Sequence, residues 1–199
     1  MRETKIIDER IALTQEESEF ENLLDYYIDL KAKNVLEIGS YFGSSLHHWL
    51  YYSQPNARVI SVDLPIRKFT GEADERVPVQ EYAIKNEWKL WTRRNKNKLH
   101  LIQEKSQDEN TVNAVKSLLG EDKLDFLFID GDHRYEAVKT DFILYSPLVR
   151  KGGLVVLHDI GQNEEGGVCK FWDEITPNYQ HIPIRHNKDK QKGIGIILI

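Results

Sequence analysis

Short runs of β-branched and aliphatic residues alternate with amphipathic stretches along this chain of 199 residues. Runs that are apolar throughout are typical of strands buried on both faces of a parallel sheet, and the amphipathic stretches between them are typical of crossover helices. The pattern therefore predicts an α/β fold built on a doubly wound, seven-stranded, mostly parallel sheet. The predicted strands cover residues 34–38, 58–62, 98–102, 124–129, 153–157, 180–184 and 194–199.

The residues before the first strand predict a helix, over residues 14–31, that docks on the sheet. Thr14 and Glu17 have the spacing of a capping box, in which each side chain accepts a hydrogen bond from a backbone N–H group at the start of the helix. The apolar positions that follow recur with helical periodicity and form one stripe. They are Phe20, Leu23, Leu24, Tyr27 and Ile28.

The stretch between the second and third strands, residues 64–97, is too long for a plain crossover. Its second half is a predicted helical segment that contains Tyr82, Trp88 and Trp91. Two interpretations stay open. In the first, this is a crossover helix with an elaborated surface loop, and the aromatic side chains belong to the core. In the second, it is a lid over an active site, and these side chains line an acceptor pocket.

The composition, 40% hydrophobic and 30% charged, predicts one globular domain over residues 1–199. A net charge of -5 provides no basic field, so we expect no nucleic-acid partner. Cys169 is the only cysteine, which excludes an intrachain disulfide and is typical of a reducing compartment. The chain has no apolar signal region and no run near the roughly 18 apolar residues of a membrane span. We therefore expect a cytoplasmic protein without a membrane partner, and a homo-oligomer stays open.

A glycine-containing turn follows the first predicted strand and leads into a helix. It reads Glu37-Ile38-Gly39-Ser40-Tyr41-Phe42-Gly43-Ser44. Glycine permits backbone angles closed to other residues and lets a ligand approach the main chain, where N–H groups at a helix N-terminus favour an anion. In a doubly wound sheet such a turn borders the ligand crevice. The spacing departs from the GxGxxG of dinucleotide-binding proteins, so an amino-acid carboxylate suits this turn better than a pyrophosphate.

Asp63 ends the second predicted strand, directly after Ile60-Ser61-Val62. An acidic side chain at that position faces the same crevice and can accept hydrogen bonds from both hydroxyl groups of a ribose. Together with the glycine turn, Asp63 predicts a ligand that contains a nucleoside.

Two further strand ends carry polar groups. Asp130 follows the fourth strand, and His158 and Asp159 follow the fifth. If these strands are neighbours, about 4.8 Å apart, the two carboxylates repel each other unless one is protonated or a cation lies between them. A divalent cation with oxygen ligands resolves the repulsion. His158 or Asp132 can supply a further ligand, and an imidazole shifts the preference from magnesium towards manganese or another transition metal.

These motifs together resemble the class I S-adenosylmethionine-dependent methyltransferases. The resemblance is strongest to the bacterial macrocin, mycinamicin and rhamnosyl O-methyltransferases, and more distant to the catechol and caffeoyl-coenzyme A O-methyltransferases. It covers roughly residues 14–199. The segments that carry it are residues 35–43, 129–136, 152–153, 158–160 and 167–172.

The resemblance implies a fold, a cofactor and roles for particular residues. It implies the strand order 3-2-1-4-5-7-6 with the last strand antiparallel. It also implies S-adenosylmethionine as cofactor, Asp130 and Asp159 as metal ligands, and His133 as the base. Where relatives have an asparagine after the second aspartate, this chain has Ile160, which cannot bind a metal. The residues expected to contact the cofactor are Glu37, Gly39, Ser40, Tyr41, Gly43, Ser44, Asp63, Ser106 and Asp130. Near Ser106, many members carry an acidic residue where this chain has Lys105.

The leading hypothesis is metal-assisted O-methylation of a hydroxyl group on a small molecule, such as a sugar or a polysaccharide precursor. A competing hypothesis is methylation of a nitrogen, although Asp130-Gly131-Asp132-His133 replaces the Asn/Asp-Pro-Pro-aromatic motif typical of amino methyltransferases of DNA. A non-catalytic subunit that binds the cofactor is a third hypothesis, and a nicotinamide-dependent oxidoreductase is a fourth. The oxidoreductase is disfavoured because the third glycine of the dinucleotide motif is missing.

Overall fold

The computed structural model describes residues 6, 13–65, 88–161, 167–185 and 192–199, which contain seven strands, six α-helices and two short 3-10 helices. The strands are β1 (Asn34–Ile38), β2 (Arg58–Val62), β3 (Lys98–Ile102), β4 (Leu124–Ile129), β5 (Val149–His158), β6 (Gln180–Ile184) and β7 (Ile194–Leu198). The helices are α1 (Glu17–Leu30), α2 (Ser44–Tyr52), α3 (Trp88–Asn95), α4 (Glu109–Leu119), α5 (Tyr135–Tyr145) and α6 (Gly167–Ile175).

All seven strands form one sheet in the order β3-β2-β1-β4-β5-β7-β6. Strands β1 to β5 pair in parallel, whereas β7 runs antiparallel to both of its neighbours. The predicted fold class and strand order are therefore confirmed. The fifth strand begins at Val149 rather than at residue 153, because backbone pairing extends it through a polar stretch that its apolar run did not mark.

The register of the sheet brings the strand ends together. Ile38 at the end of β1 pairs with Val62 of β2 on one side and with Ile129 of β4 on the other, and Ile129 pairs with Leu157 of β5. The residues that follow these positions must therefore meet at one edge of the sheet. That edge is where the polar residues of the predicted site lie.

Each face of the sheet is covered by helices and carries its own hydrophobic cluster. One cluster packs the sheet against α4, α5 and α6, and the other packs it against α1, α2 and α3. The predicted stripe of α1 lies in the second cluster, with Phe20, Leu23, Leu24 and Tyr27 fully buried and Ile28 partly buried. This arrangement confirms that α1 docks on the sheet.

The predicted N-terminus of α1 is wrong. The helix begins at Glu17, and its N-cap is Glu16 rather than Thr14. The Glu16 carboxylate accepts hydrogen bonds from the Glu19 backbone N–H, at 2.9 Å, and from the Ser18 hydroxyl, at 2.6 Å. A carboxylate satisfies the same backbone group as a threonine hydroxyl, and its charge also suits the positive end of the helix dipole.

None of the described helices combines the length and the apolar character that crossing a membrane requires.

Candidate active site

A cavity of about 870 Å³ opens where β1, β2, β4 and β5 end. Its volume lies in the range of small-molecule and cofactor sites. The wall includes Gly39, Ser40 and Tyr41 of the turn after β1, together with Asp63 after β2. The opposite part of the wall includes residues 130–134 after β4 and His158 with Asp159 at the end of β5. The structure thus brings the predicted cofactor motif and the predicted metal motif into one cavity.

The two glycines of the turn each allow a close approach to a different part of the protein. Gly39 has a φ of +83°, and a Cβ atom there would lie 2.2 Å from the backbone oxygen of Asp130. Gly43 has a φ of +81°, and a Cβ atom there would lie 1.9 Å from the indole ring of Trp88. Gly39 therefore lets the turn after β1 approach the end of β4, whereas Gly43 makes room for an aromatic side chain.

Trp88 is buried, with 2% of its surface exposed, and belongs to the cluster beneath α1 and α2. It does not line the cavity, so for Trp88 the structure agrees with the first interpretation, in which the aromatic side chain belongs to the core. Its indole contacts the tight turn at Gly43. Tyr82 and the side chain of Trp91 lie outside the described residues, as does most of the predicted insertion at residues 64–97. Its role as a lid stays a prediction.

Glu37 lies behind the turn, inside the protein. It is completely buried, and its carboxylate accepts hydrogen bonds from the Ser40 hydroxyl, at 2.6 Å, and from the Trp49 indole, at 2.9 Å. Burial raises the pKa of Glu37 to about 7. Gly43 and Ser44 are also buried, at the start of α2. Of the predicted cofactor contacts in this segment, Gly39, Ser40 and Tyr41 line the cavity, whereas Glu37, Gly43 and Ser44 do not. Contact of these last three residues with a cofactor stays a prediction.

Asp63 fastens the end of β2 to the same turn. One carboxylate oxygen, Oδ2, accepts the backbone N–H groups of Ser40, at 2.9 Å, and Tyr41, at 2.6 Å, while Oδ1 accepts the N–H of Leu64 at 2.7 Å. Burial raises the pKa of the Asp63 carboxyl. Because each carboxylate oxygen has about two lone-pair sites, Oδ1 retains acceptor capacity towards the cavity. Contact of Asp63 with a ribose stays a prediction.

Two carboxylates and two imidazoles form a compact cluster on the other side of the cavity. His133 lies between the carboxylates, with Nε2 3.4 Å from Asp130 Oδ1 and Nδ1 3.3 Å from Asp159 Oδ2. His158 Nδ1 lies 3.0 Å from Asp130 Oδ1 and 3.3 Å from Asp159 Oδ1. Each of the two imidazoles therefore contacts both carboxylates.

The charges of this cluster compensate one another. Burial raises the pKa of Asp130, but His158 and His133 outweigh burial and hold the pKa well below its usual range. Burial lowers the pKa of His158, but Asp130 and Asp159 outweigh it and raise the pKa overall. His158 Nδ1 faces the two carboxylates, while Nε2 is buried with no hydrogen-bond partner among the described residues.

The donor set fits a divalent cation. One ligand atom each from Asp130, His133 and His158 lie within 4.8 Å of one another, and Asp159 contacts both imidazoles. Asp132, the other carboxylate considered as a ligand, also lines the cavity, but Arg134 Nε donates to both of its oxygens at 3.0 Å. His158 is therefore the better candidate of the two. The sequence motifs indicated His133 only as a base, but its position in the structure also makes it a candidate ligand.

Ser106 lines the cavity at the end of β3, as expected of a cofactor contact. Helix α5 fixes this loop by two hydrogen bonds that the motifs did not indicate. The Tyr145 hydroxyl donates to the Ser106 backbone oxygen at 2.6 Å, and the Gln107 amide donates to Asp141 Oδ1 at 2.8 Å. Asp141 is buried, and burial raises its pKa to about 6. An aspartate on the apolar stripe of a helix was the only signal of this anchor in the sequence.

Gln15 also lines the cavity, although no motif marked it. Its side-chain amide donates a hydrogen bond to Asp130 Oδ2 at 2.7 Å, across 115 positions of the chain. The sequence carries no local signal for this contact, because it depends on where α1 docks.

Comparison with known proteins gives a family and a fold. Residues 36–160 match the family described as "Methyltransferase domain". An uncharacterized protein of Acanthamoeba polyphaga mimivirus, R132, is 56% identical over 36 residues, which cover 18% of this chain and 16% of the viral protein. That match is too short to inform on the activity of the whole protein.

Solved structures of O-methyltransferases share the fold over most of their length. TomG from Streptomyces achromogenes, solved with S-adenosylmethionine, has a TM-score of 0.60 at 16% identity, covering 94% of this chain and 82% of TomG. A Bacillus cereus O-methyltransferase, solved with S-adenosylhomocysteine, has a TM-score of 0.61 at 16% identity, covering 95% and 83%. CalS11, a TDP-rhamnose 3'-O-methyltransferase of calicheamicin biosynthesis, has a TM-score of 0.59 at 14% identity, covering 90% and 80%.

The family match spans the glycine turn, Asp63, and both polar strand ends, which are the elements that build the cavity. The strand order is the one that the resemblance implied. The chain therefore belongs to the methyltransferase domain family.

Proposed function

We propose that this protein transfers the methyl group of S-adenosylmethionine to a hydroxyl group of a small molecule, with a divalent cation bound beside the acceptor. The observation that carries the proposal is the cluster of Asp130, His133, His158 and Asp159 in the same cavity as the glycine turn. A cofactor motif alone would support methyl transfer to any acceptor. The cluster adds groups that can accept the proton released when a hydroxyl is methylated and that can bind a cation to lower the pKa of that hydroxyl.

The cofactor would lie along the ends of β1, β2 and β3. The turn at Gly39, Ser40 and Tyr41 would hold the amino-acid part, Asp63 the ribose hydroxyls, and Ser106 the adenine. This order follows the cavity wall from the centre of the sheet towards its edge. It would direct the sulfonium methyl towards the cluster after β4 and β5.

Asp130, Asp159 and His158 would hold the cation. Their support is the geometry of the cluster, in which His158 Nδ1 faces both carboxylates. A divalent cation, when bound, stabilises the oxyanion of a bound hydroxyl and thereby lowers its pKa.

His133 would accept the proton of the acceptor hydroxyl. Its side chain is 33% exposed, so it is the most exposed member of the cluster. The carboxylates on either side stabilise the imidazolium that forms. The acceptor oxygen then attacks the methyl carbon in line. The O–CH₃ bond forms as the S–CH₃ bond breaks, the proton stays on His133, and S-adenosylhomocysteine leaves as a neutral thioether. Alignment of the two reactants supplies much of the rate enhancement.

We propose a sugar or a sugar-containing precursor as the acceptor. The support is the resemblance to sugar O-methyltransferases and the shared fold with CalS11, whose acceptor is TDP-rhamnose. The cavity has the volume of a site for small molecules.

The test combines binding and turnover. Purified protein is incubated with S-adenosylmethionine and a panel of nucleoside-diphosphate sugars and catechols, and release of S-adenosylhomocysteine is measured with Mn²⁺, with Mg²⁺ and with excess EDTA. We expect turnover of a sugar substrate that EDTA abolishes, while calorimetry shows that cofactor binding persists. Full turnover in EDTA would overturn the metal-assisted mechanism, and turnover of catechols alone would overturn the sugar assignment.

A matched pair of variants locates the cation. Asp159→Asn removes a carboxylate of the cluster, whereas Asp132→Asn removes a neighbouring carboxylate that Arg134 occupies. We expect Mn²⁺ affinity, measured by calorimetry, to fall sharply in the first variant and to persist in the second. The reverse result would move the cation site to Asp132.

A further inference from the structure

We infer that Gln15 is a positioning residue, which holds the Asp130 carboxylate in the orientation that the cation site needs. The inference rests on the proposed function, since it concerns the site that would bind the cation. The Gln15 amide bonds to Asp130, so it acts on the cluster through that carboxylate.

The two oxygens of Asp130 have separate partners. Oδ1 faces His158 and His133, at 3.0 Å and 3.4 Å, and Oδ2 accepts the Gln15 amide at 2.7 Å. A carboxylate can rotate about its Cβ–Cγ bond, and such rotation would exchange the two oxygens or turn both away from the imidazoles. A short hydrogen bond to Oδ2 opposes that rotation and keeps Oδ1 directed at the cluster. Hydrogen bonds to metal-binding carboxylates commonly serve this purpose.

The fold by itself gives little reason for a glutamine at this position. Gln15 is 7% exposed, and its carbonyl oxygen is buried with no hydrogen-bond partner among the described residues. A buried amide carbonyl without a partner opposes folding. An apolar side chain of similar length would avoid that penalty, while Phe20 and Leu23 would still hold α1 on the core. The favourable part of the Gln15 side chain is therefore its bond to Asp130.

Gln15 also lies outside the segment that the methyltransferase family shares, which begins at residue 36. The cluster itself lies within that segment. In this chain a residue from the region before β1 therefore binds to the cluster. The docking of α1 determines whether that residue reaches Asp130.

The experiment measures the affinity of purified wild-type protein and variants for Mn²⁺ by calorimetry, without cofactor. Gln15→Met keeps the length of the side chain but removes the donor, and Gln15→Asn keeps the amide but shortens its reach. Gln107→Met is the matched control, because Gln107 donates a similar bond, at 2.8 Å, to a buried aspartate outside the cluster. Asp130→Ala marks the loss of the ligand itself. The visible absorption of bound Co²⁺ reports the coordination geometry of each variant.

We expect both Gln15 variants to bind Mn²⁺ about 10- to 100-fold more weakly than wild type and to change the Co²⁺ spectrum, while Gln107→Met matches wild type in both. Circular dichroism and thermal unfolding confirm that each variant is folded. If the Gln15 variants match wild type while Asp130→Ala loses the metal, the positioning role is wrong and the proposed function stands. If wild type and Asp130→Ala bind equally weakly, the cation site fails, and the role of Gln15 in it fails too.

Discussion

The buried carboxylate behind the glycine turn should make the stability of this protein depend on pH. Burial raises the pKa of Glu37 from 4.5 to about 7 in the folded protein. In the unfolded chain the same group has its ordinary pKa, so between these two values the folded state binds a proton that the unfolded state does not. The free energy of unfolding must then fall as pH rises through this window. The stabilisation that Glu37 gains from binding a proton in the folded state is fully present below pH 4.5 and is lost above about pH 7.

Glu37→Gln removes the titration and retains much of the local bonding. The Trp49 indole can only donate, so the amide oxygen of glutamine should face it. The amide NH₂ then faces the Ser40 hydroxyl, which can redirect its own hydrogen to Ser61, at 2.7 Å. The difference between pKa values of 4.5 and about 7 corresponds to about 3 kcal/mol. Any cost of the exchanged hydrogen bonds is independent of pH, so it shifts the whole curve without changing its slope.

The assay is urea denaturation of wild type and Glu37→Gln, followed by circular dichroism at a series of pH values from 4.5 to 8. Other titrating groups are common to both proteins, so the difference between their free energies of unfolding isolates Glu37. We expect the variant to gain up to about 3 kcal/mol relative to wild type across the window. Two curves that stay parallel throughout would show that Glu37 is ionised at its ordinary pKa and would refute the reasoning.

Three other substitutions test the site. Asp63→Ala should weaken the binding of S-adenosylmethionine and S-adenosylhomocysteine at least about tenfold, because hydrogen bonds to a charged group contribute about 1.5 to 3 kcal/mol each. Unchanged affinity in calorimetry would remove Asp63 from the cofactor site. Gly39→Ala should destabilise the fold by more than Gly120→Ala in urea denaturation. Both have positive φ, which costs an L-residue about 1–2 kcal/mol, but only at Gly39 does a Cβ atom meet backbone, whereas Gly120 faces open space. Equal losses in the free energy of unfolding would show that the turn after β1 can move to accommodate a Cβ atom at Gly39. His133→Ala should lower turnover of the acceptor found in the substrate panel by about 100-fold or more, while Mn²⁺ still binds through Asp130, Asp159 and His158. A loss of Mn²⁺ binding in this variant would make His133 a ligand rather than a base.

The periodicity of the chain was enough to predict seven strands of a mostly parallel sheet, whereas the family resemblance implied the order of those strands. Strands such as residues 34–38 and 124–129 are short, mainly apolar runs bounded by polar residues and turns, so their type and limits follow from local composition. The place of the site followed as well. Parallel strands end at one edge, and the polar residues that follow β1, β2, β4 and β5 had to gather there.

Local sequence patterns could not predict the contacts between segments that are distant in the chain. Nothing near Gln15 indicates that its amide meets Asp130, and nothing near Trp88 indicates that its indole fills the space left by Gly43. The N-cap of α1 shifted from Thr14 to Glu16 for a related reason, since either side chain can cap and the docked helix decides which one does.

The sequence by itself thus determined the class of fold, the family and the residues gathered at one edge of the sheet, because periodicity, strand polarity and short motifs are local properties. Only the tertiary structure decided which structural role each of those residues has. Glu37 supports the turn from behind, whereas Asp63 fastens it at the cavity wall, and His133 lies between two carboxylates. Such roles depend on side-chain distances of a few ångströms and on burial, and both arise only when helices pack against the sheet.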